Sequence, residues 1–282
     1  MRIDRTTEPR LFSLHDEYTA FKTHNTEEYR QWRIQEVVKN NDISYEVNDF
    51  CEQLGIETND EVERQKAYLD FYARLDKKMF GERFNVEFVS EPFLKGVEDN
   101  VEKLILSVKD ESYYEFLGEC SGFLIIKDYV VGYAILEGGA YFIAENRTTD
   151  VGGQLSFFGK STIDCIGKWD KLNILQQSIC LAVATLILKK YGEVETVLVG
   201  AGVRRKMPET KEIIMNKAPF SITQLDSSWL RTIIRTEGFM VRGHFRLQAC
   251  GVGLKERKLI YIEPYEKHGY TRTAKKLLSE SD

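Results

Sequence analysis

Three apolar runs decide how this chain reads: Gly122-Phe123-Leu124-Ile125-Ile126, Val130 to Leu136, and Tyr141-Phe142-Ile143-Ala144. Each is short, bounded by polar or glycine residues, and rich in β-branched and aromatic side chains, the pattern of strands in a covered sheet. Gly138-Gly139 falls between the last two and reads as a hairpin turn. Gln154-Leu155-Ser156-Phe157-Phe158 extends the series by another strand. The expectation is an antiparallel meander that forms the central sheet. Gly152-Gly153, with Asp150 and Gln154 beside them, reads as a hairpin or loop.

Working outward, Lys168 to Lys190 is the strongest helical stretch. Leu172, Leu175, Ile179, Val183, Leu186 and Ile187 keep helical spacing, and Cys180, Ala182 and Ala184 make further faces small and apolar. A helix apolar on so many sides belongs against the sheet, and Gly192 ends it. Glu195 to Val199 returns as a strand. Towards the N-terminus, Thr26-Glu27-Glu28 starts a helix with a cap and two acids in its first turn, and Trp32, Val37 and Val38 are expected in its buried stripe. Ser44 to Leu54 is a second helix, ending at Gly55. A third begins at Thr58-Asn59-Asp60, with Tyr68, Phe71, Tyr72, Leu75 and Met79 as packing residues. Val86 to Val89 reads as a strand and Asp99 to Lys109 as a helix. The fold class is α+β, with an N-terminal helical region (1–82) packed on a mostly antiparallel sheet and one long buried helix. Residues 83–282 form the α+β body, whose C-terminal part, about 200–272, is a basic β module.

Bulk properties fit a globular protein. Hydrophobic residues are 43% and charged residues 29% of the 282, too apolar for disorder. A net charge of -5 argues against a surface that is nucleic-acid-binding throughout. The charge is uneven, however: the first hundred residues are acidic, and Lys and Arg outnumber Asp and Glu from Gly200 onward, which suggests a local anion-binding surface. Five cysteines, with no CxxC spacing, give neither a disulfide framework nor a zinc knuckle and fit a reducing compartment. No leader segment and no membrane span is read, so the expected location is the host cytoplasm. No cofactor or metal is expected.

The basic module holds the candidate site. Phe239 to Gln248 and Lys258 to Ile262 read as two strands joined by Gly251-Val252-Gly253. On a strand, Arg242, His244 and Arg246 share one face and Phe245 and Leu247 the other. Three potential cations in a row need solvent or an anion, and a phosphate backbone would satisfy them. Arg257, Lys258 and His268 add charge, and Phe245 and Tyr261 add rings on which bases stack. Catalysis by His244 would require a positioned acid such as Glu237, Glu263 or Glu266. A second candidate, Gly200-Ala201-Gly202-Val203-Arg204-Arg205-Lys206, resembles a phosphate cradle only in its glycines and reads as a flexible turn in an exposed basic connection. GxSxG, HExxH and GxGxxG signatures are absent.

The run Val241-Arg242-Gly243-His244-Phe245-Arg246-Leu247-Gln248, a glycine-containing loop, and Leu259-Ile260-Tyr261-Ile262-Glu263-Pro264 resemble the C-terminal module of a phage-borne family that includes a type V-A anti-CRISPR. The resemblance covers the last third to half of the chain. Phe245 and Tyr261 stand where the family pattern usually has tryptophan, which keeps the ring and loses the indole donor. The resemblance implies an accessory protein of a phage or mobile element. In the anti-CRISPR, recognition of a nascent peptide leads to loss of the effector nuclease's message. Only Arg242, Gly243, His244 and Phe245 carry over, as binding or structural residues; Gly243 and Pro264 are read as the structural residues of the motif. The expected function is therefore a binding protein acting on host defence or gene expression, its partner a host protein, a nascent peptide or RNA. The alternatives are a nuclease-like enzyme using His244 and a virion or assembly component.

Overall fold

A computed structural model describes residues 1–24, 26–40, 44–207, 211–228, 230 and 244–262, with the side chains of 37–40 outside that description. The chain opens with β1 (Arg2–Ile3), α1 (Pro9–Thr23), α2 (Glu27–Asn40), α3 (Ser44–Leu54) and α4 (Glu61–Gly81). β2 (Val86–Val89), α5 (Glu91–Leu106) and α6 (Tyr113–Leu117) lead into β3 (Cys120–Ile126), β4 (Tyr129–Leu136), β5 (Gly139–Asn146) and β6 (Gly152–Phe158). After α7 (Ile174–Tyr191) come β7 (Glu195–Val199), β8 (Arg204–Lys206), β9 (Ile213–Asn216), β10 (Ile222–Asp226), β11 (His244–Cys250) and β12 (Glu256–Ile262). The α+β class read from the sequence is the class of the structure.

Among the described residues the central sheet has seven strands in the order β6-β5-β4-β3-β2-β10-β7. β3 to β6 form the antiparallel meander, and β2 is inserted parallel to both β3 and β10. Both faces of this sheet are covered, which is why its middle strands are apolar without alternation. On one side lie α1, α3 and α4 together with a small sheet of order β1-β9-β8; Phe71, Tyr68, Met79, Phe123, Ile125 and Phe158 are among the residues that meet there. On the other lie α5, α6, α7 and the β11–β12 hairpin, around Phe93, Leu124, Phe142, Ile179 and Leu188. The helices of residues 1–82 share a core with the sheet, and β1 is a strand of the small sheet, paired in parallel with β9.

α7 is buried from Ser178 to Leu188. Its two hydroxyls in that stretch satisfy themselves: Ser178 Oγ donates to Ile174 O and Thr185 Oγ1 to Leu181 O, both at 2.8 Å. Asn173 and Gln176 form a capping box at its start, after a single 3₁₀ turn at Trp169–Lys171, so the helix begins later than its apolar pattern suggests. α5 begins earlier than expected because Ser90 caps it and Pro92 occupies its first turn. Trp32, expected in a buried stripe, is 53% exposed and stacks on Tyr29 at 5.6 Å.

Gly152 and Gly153 lie within strand β6, not in a loop. A Cβ at Gly152 would come within 2.9 Å of the Ala144 carbonyl oxygen, and one at Gly153 within 2.9 Å of Leu175 Cδ2. These glycines mark close approach to the neighbouring strand and to α7. In the 200–206 connection the turn is confined to Gly200–Val203, and Arg204–Lys206, read as part of that turn, is a strand.

Candidate functional site

The hairpin is built by register. Phe245 lies opposite Tyr261, Leu247 opposite Leu259 and Ala249 opposite Arg257, all turned to the protein; His244 lies opposite Ile262, Arg246 opposite Ile260 and Gln248 opposite Lys258, all turned out. The turn between the strands uses Gly251 at φ 74° and Gly253 at φ 70°, backbone that L side chains rarely adopt. It leaves Val252 96% and Leu254 68% exposed at the tip.

The inner face is an anchor. Phe245 is 4% exposed and meets the Tyr261 ring edge-on, with centroids 5.2 Å apart. With Leu259 it joins the core formed by α5 and α7. Tyr261 is half-buried, and its hydroxyl is enclosed with no hydrogen-bond partner among the described residues. The two rings expected as stacking platforms are therefore packed inward. Arg257 is also an anchor: its Nη1 lies 2.6 Å from both carboxylate oxygens of Glu111, in the turn after α5. Glu111 holds the Arg257 pKa above its ordinary value. Lys258 reaches Glu193 at 3.5 Å, an exposed pair of small energetic weight. Arg257 thus contributes to attachment, and its charge is already met by protein.

The outer face is open. His244 and Arg246 are exposed and form no ion pair or side-chain hydrogen bond with a described residue, and Ile260 and Ile262 lie half-buried beside them. This face combines the Arg246 guanidinium with aliphatic side chains, and among the described residues its one ring is the His244 imidazole. Arg242, Gly243, Pro264 and His268 lie outside the described residues, as do Glu237, Glu263 and Glu266. Among the described residues no group of three or more His, Cys, Asp or Glu side chains could hold a metal ion.

Two concavities lie across the sheet from the hairpin, and neither contains His244. One, of about 720 Å³, is lined by Asn48, Cys51, Glu52 and Arg64 of α3 and α4 and by the loop between them; the other, of about 520 Å³, lies between Gln31 and Ile34 of α2 and Val62 and Leu69 of α4. The hairpin's composition and alternation were legible in the sequence. Its Arg257–Glu111 tie was not, because the partners are 146 residues apart. No described helix is long and apolar enough to cross a membrane. Searches against protein-family models, curated proteins and solved structures found no match for this chain.

Proposed function

We propose that this chain is a binding protein that takes an extended peptide segment on the outer face of its C-terminal hairpin. The observation that carries the reading is the division of the hairpin into an anchored inner face and an open outer one. Phe245, Leu259 and Arg257 fix the hairpin to the body, while His244 and Arg246 are exposed beside Ile260 and Ile262. Cations next to aliphatic side chains suit a peptide with alternating acidic and apolar residues. Single-stranded RNA draws much of its affinity from stacking on rings; Phe245 and Tyr261 are packed inward, which leaves the His244 imidazole as the one exposed ring among the described residues of the hairpin. Peptide is therefore favoured over RNA. The two-stranded hairpin also has an unpaired edge on each strand among the described residues, which suits peptide addition as a further strand. The resemblance to the anti-CRISPR family, where a nascent peptide is the ligand, points the same way. It suggests a phage or mobile-element protein acting on host gene expression.

The test is site-specific photo-crosslinking from Gln248, on the outer face, in cells that express the protein. The expected result is a crosslinked polypeptide that survives ribonuclease and is lost in Arg246→Glu, which leaves thermal stability unchanged. RNA as the crosslinked species, with retention falling steeply as salt rises, would overturn the peptide reading.

A further inference from the structure

The Arg204–Lys206 segment has a second role that neither the hairpin nor the sequence pattern assigns. Among the described residues β8 pairs with β9 alone and forms an edge of the small sheet. Its register with β9 is Arg204 opposite Met215, Arg205 opposite Ile214 and Lys206 opposite Ile213, and β1 places Arg2 opposite the same Met215. Side chains paired across strands point to the same face. Arg2, Arg204 and Lys206 therefore share the outer face with Ile213 and Met215, and Lys217 continues that alternation just past β9. The inner face is the opposite in character: Ile3, Ile214 and Met207 are buried in the core, with Asn216 beside them.

All three residues of β8 are exposed, and Ile213 is 41% exposed. Arg2 is paired with Asp4. Arg204, Lys206 and Lys217 form no ion pair with a described residue. Arg205, on the inner side, donates to the Leu198 carbonyl at 2.7 Å and so ties β8 to β7. The backbone bonds Asn216 N to Val203 O (2.9 Å) and Met207 N to Glu212 O (2.8 Å) turn the odd-numbered residues of this strand towards β9. By the alternation of an antiparallel ladder, the N–H and C=O groups of Arg204 and Lys206 face away from β9.

Charges on an edge strand often serve only to prevent edge-to-edge aggregation. That accounts for Arg204 and Lys206 alone. It does not account for cations supplied to the same face by β1 and by the segment after β9, around two apolar side chains left open. We propose that β8 is a docking edge for an acidic, extended polypeptide segment that adds as a fourth strand. Its backbone would bond the outward groups of Arg204 and Lys206. Acidic side chains at alternate positions would lie opposite Arg204 and Lys206, because strand side chains repeat every two residues on both partners. Ile213 and Met215 would extend the apolar floor. A nucleic acid would meet the charge but has no group that continues the ladder.

The test uses the full chain and two labelled ten-residue peptides, one alternating Glu and Val and one identical but with proline at two central positions. Anisotropy should show the first bound and the proline peptide at least tenfold weaker. Arg204→Glu with Lys206→Glu, both exposed, should weaken the first peptide by about tenfold. These measurements are made in the Arg246→Glu background, because the hairpin surface proposed above would also take an acidic–apolar peptide; binding that persists there reports β8 alone. Amide hydrogen exchange at Arg204 and Lys206 should slow when the first peptide is added. Equal binding of both peptides, tighter binding of a labelled dT12 oligonucleotide, loss of binding in Arg246→Glu alone, or no binding of the Glu–Val peptide at millimolar concentration would each overturn the proposal.

Discussion

Phe245→Ala should release the hairpin from the body. Phe245 is 4% exposed, packs edge-on against Tyr261 and joins the core under α5 and α7. A buried phenylalanine removes roughly 200 Å² from water. At about 25 cal/mol per Å² that is about 5 kcal/mol, in line with the ~3–5 kcal/mol typical of Phe→Ala in cores. The edge-on contact with Tyr261 adds about 0.5–1.5 kcal/mol. Against this loss, the remaining attachments are Leu259, the half-buried Leu247 and Tyr261, and the exposed Arg257–Glu111 pair. A two-stranded ribbon is not stable in water without such packing. The hairpin should therefore open locally before the rest of the protein unfolds, and only part of the cost should appear in global stability. Hydrogen exchange by mass spectrometry separates the two: amides of 244–262 should lose protection in the variant, while those of β3 to β5 keep it. Ile260→Ala, on the outer face, should change protection little. Unchanged hairpin protection in Phe245→Ala, with an unfolding free energy within about 0.5 kcal/mol of the parent, would refute the anchoring argument.

Two further outcomes follow from buried charge. Glu8 is fully buried and paired with Arg147, whose Nε donates to Glu8 Oε2 at 2.7 Å and whose Nη1 donates to the Lys127 carbonyl at 2.8 Å. Arg147→Met should cost about 3–5 kcal/mol in denaturant unfolding by stranding that carboxylate, and adding Glu8→Leu should recover much of the loss; full additivity of the two substitutions would contradict the pairing. Burial raises the Glu145 carboxyl above its ordinary value of 4.5, with Arg10 opposing. The fold then holds this proton more tightly than the unfolded chain does, so the group's favourable contribution is full below the unfolded value and is lost as pH rises through the folded one. Thermal midpoints of Glu145→Gln should accordingly exceed the parent's at neutral pH, with the gain closing below pH 4.5; a gain that grows on acidification would reverse the sign and sink the argument.

What was legible in the sequence follows length and periodicity. β3, β4 and β5 run to seven or eight residues each and are apolar enough to stand out, and α7 carries eleven consecutive buried residues. β1, β8 and β9 have two to four residues, too few for any period, and β8 is Arg-Arg-Lys, whose strand state comes from its partner β9 and not from its own composition. α1 is polar between its buried Leu11, Phe12, Leu14 and Phe21 and lacks a side-chain cap, so its stripe is not marked and only Pro9, at its first position, marks its start. In the hairpin, Phe245 and Leu247 alternate with His244 and Arg246, and that alternation alone assigns the faces. Tyr261 and Arg257 are harder. Their side follows from the pairing register, which the turn at Gly251-Val252-Gly253 sets, and the roles follow from Phe245 and Glu111 across space.

The two open cationic surfaces differ in their relation to the fold. The hairpin is seated on the α5–α7 side of the central sheet, and the small sheet containing β8 on the α1–α4 side. The sheet between them is close-packed, with Phe123, Leu124, Ile125, Val130 and Val131 each at most 1% exposed. A single short peptide cannot span both surfaces, so one ligand would occupy them together only as two separated segments. Substitutions on them share no partner side chain, and their effects on folding stability should add within about 0.3–0.5 kcal/mol. Avidity is the arrangement's remaining advantage: a partner carrying two acidic extended segments on a linker long enough to pass around the sheet would bind more tightly than either segment alone, without any contact between the sites. Combining Arg246→Glu with Arg204→Glu and Lys206→Glu tests this, since a two-segment partner should lose far more affinity to the first lesion than a one-segment peptide does, whichever surface carries it.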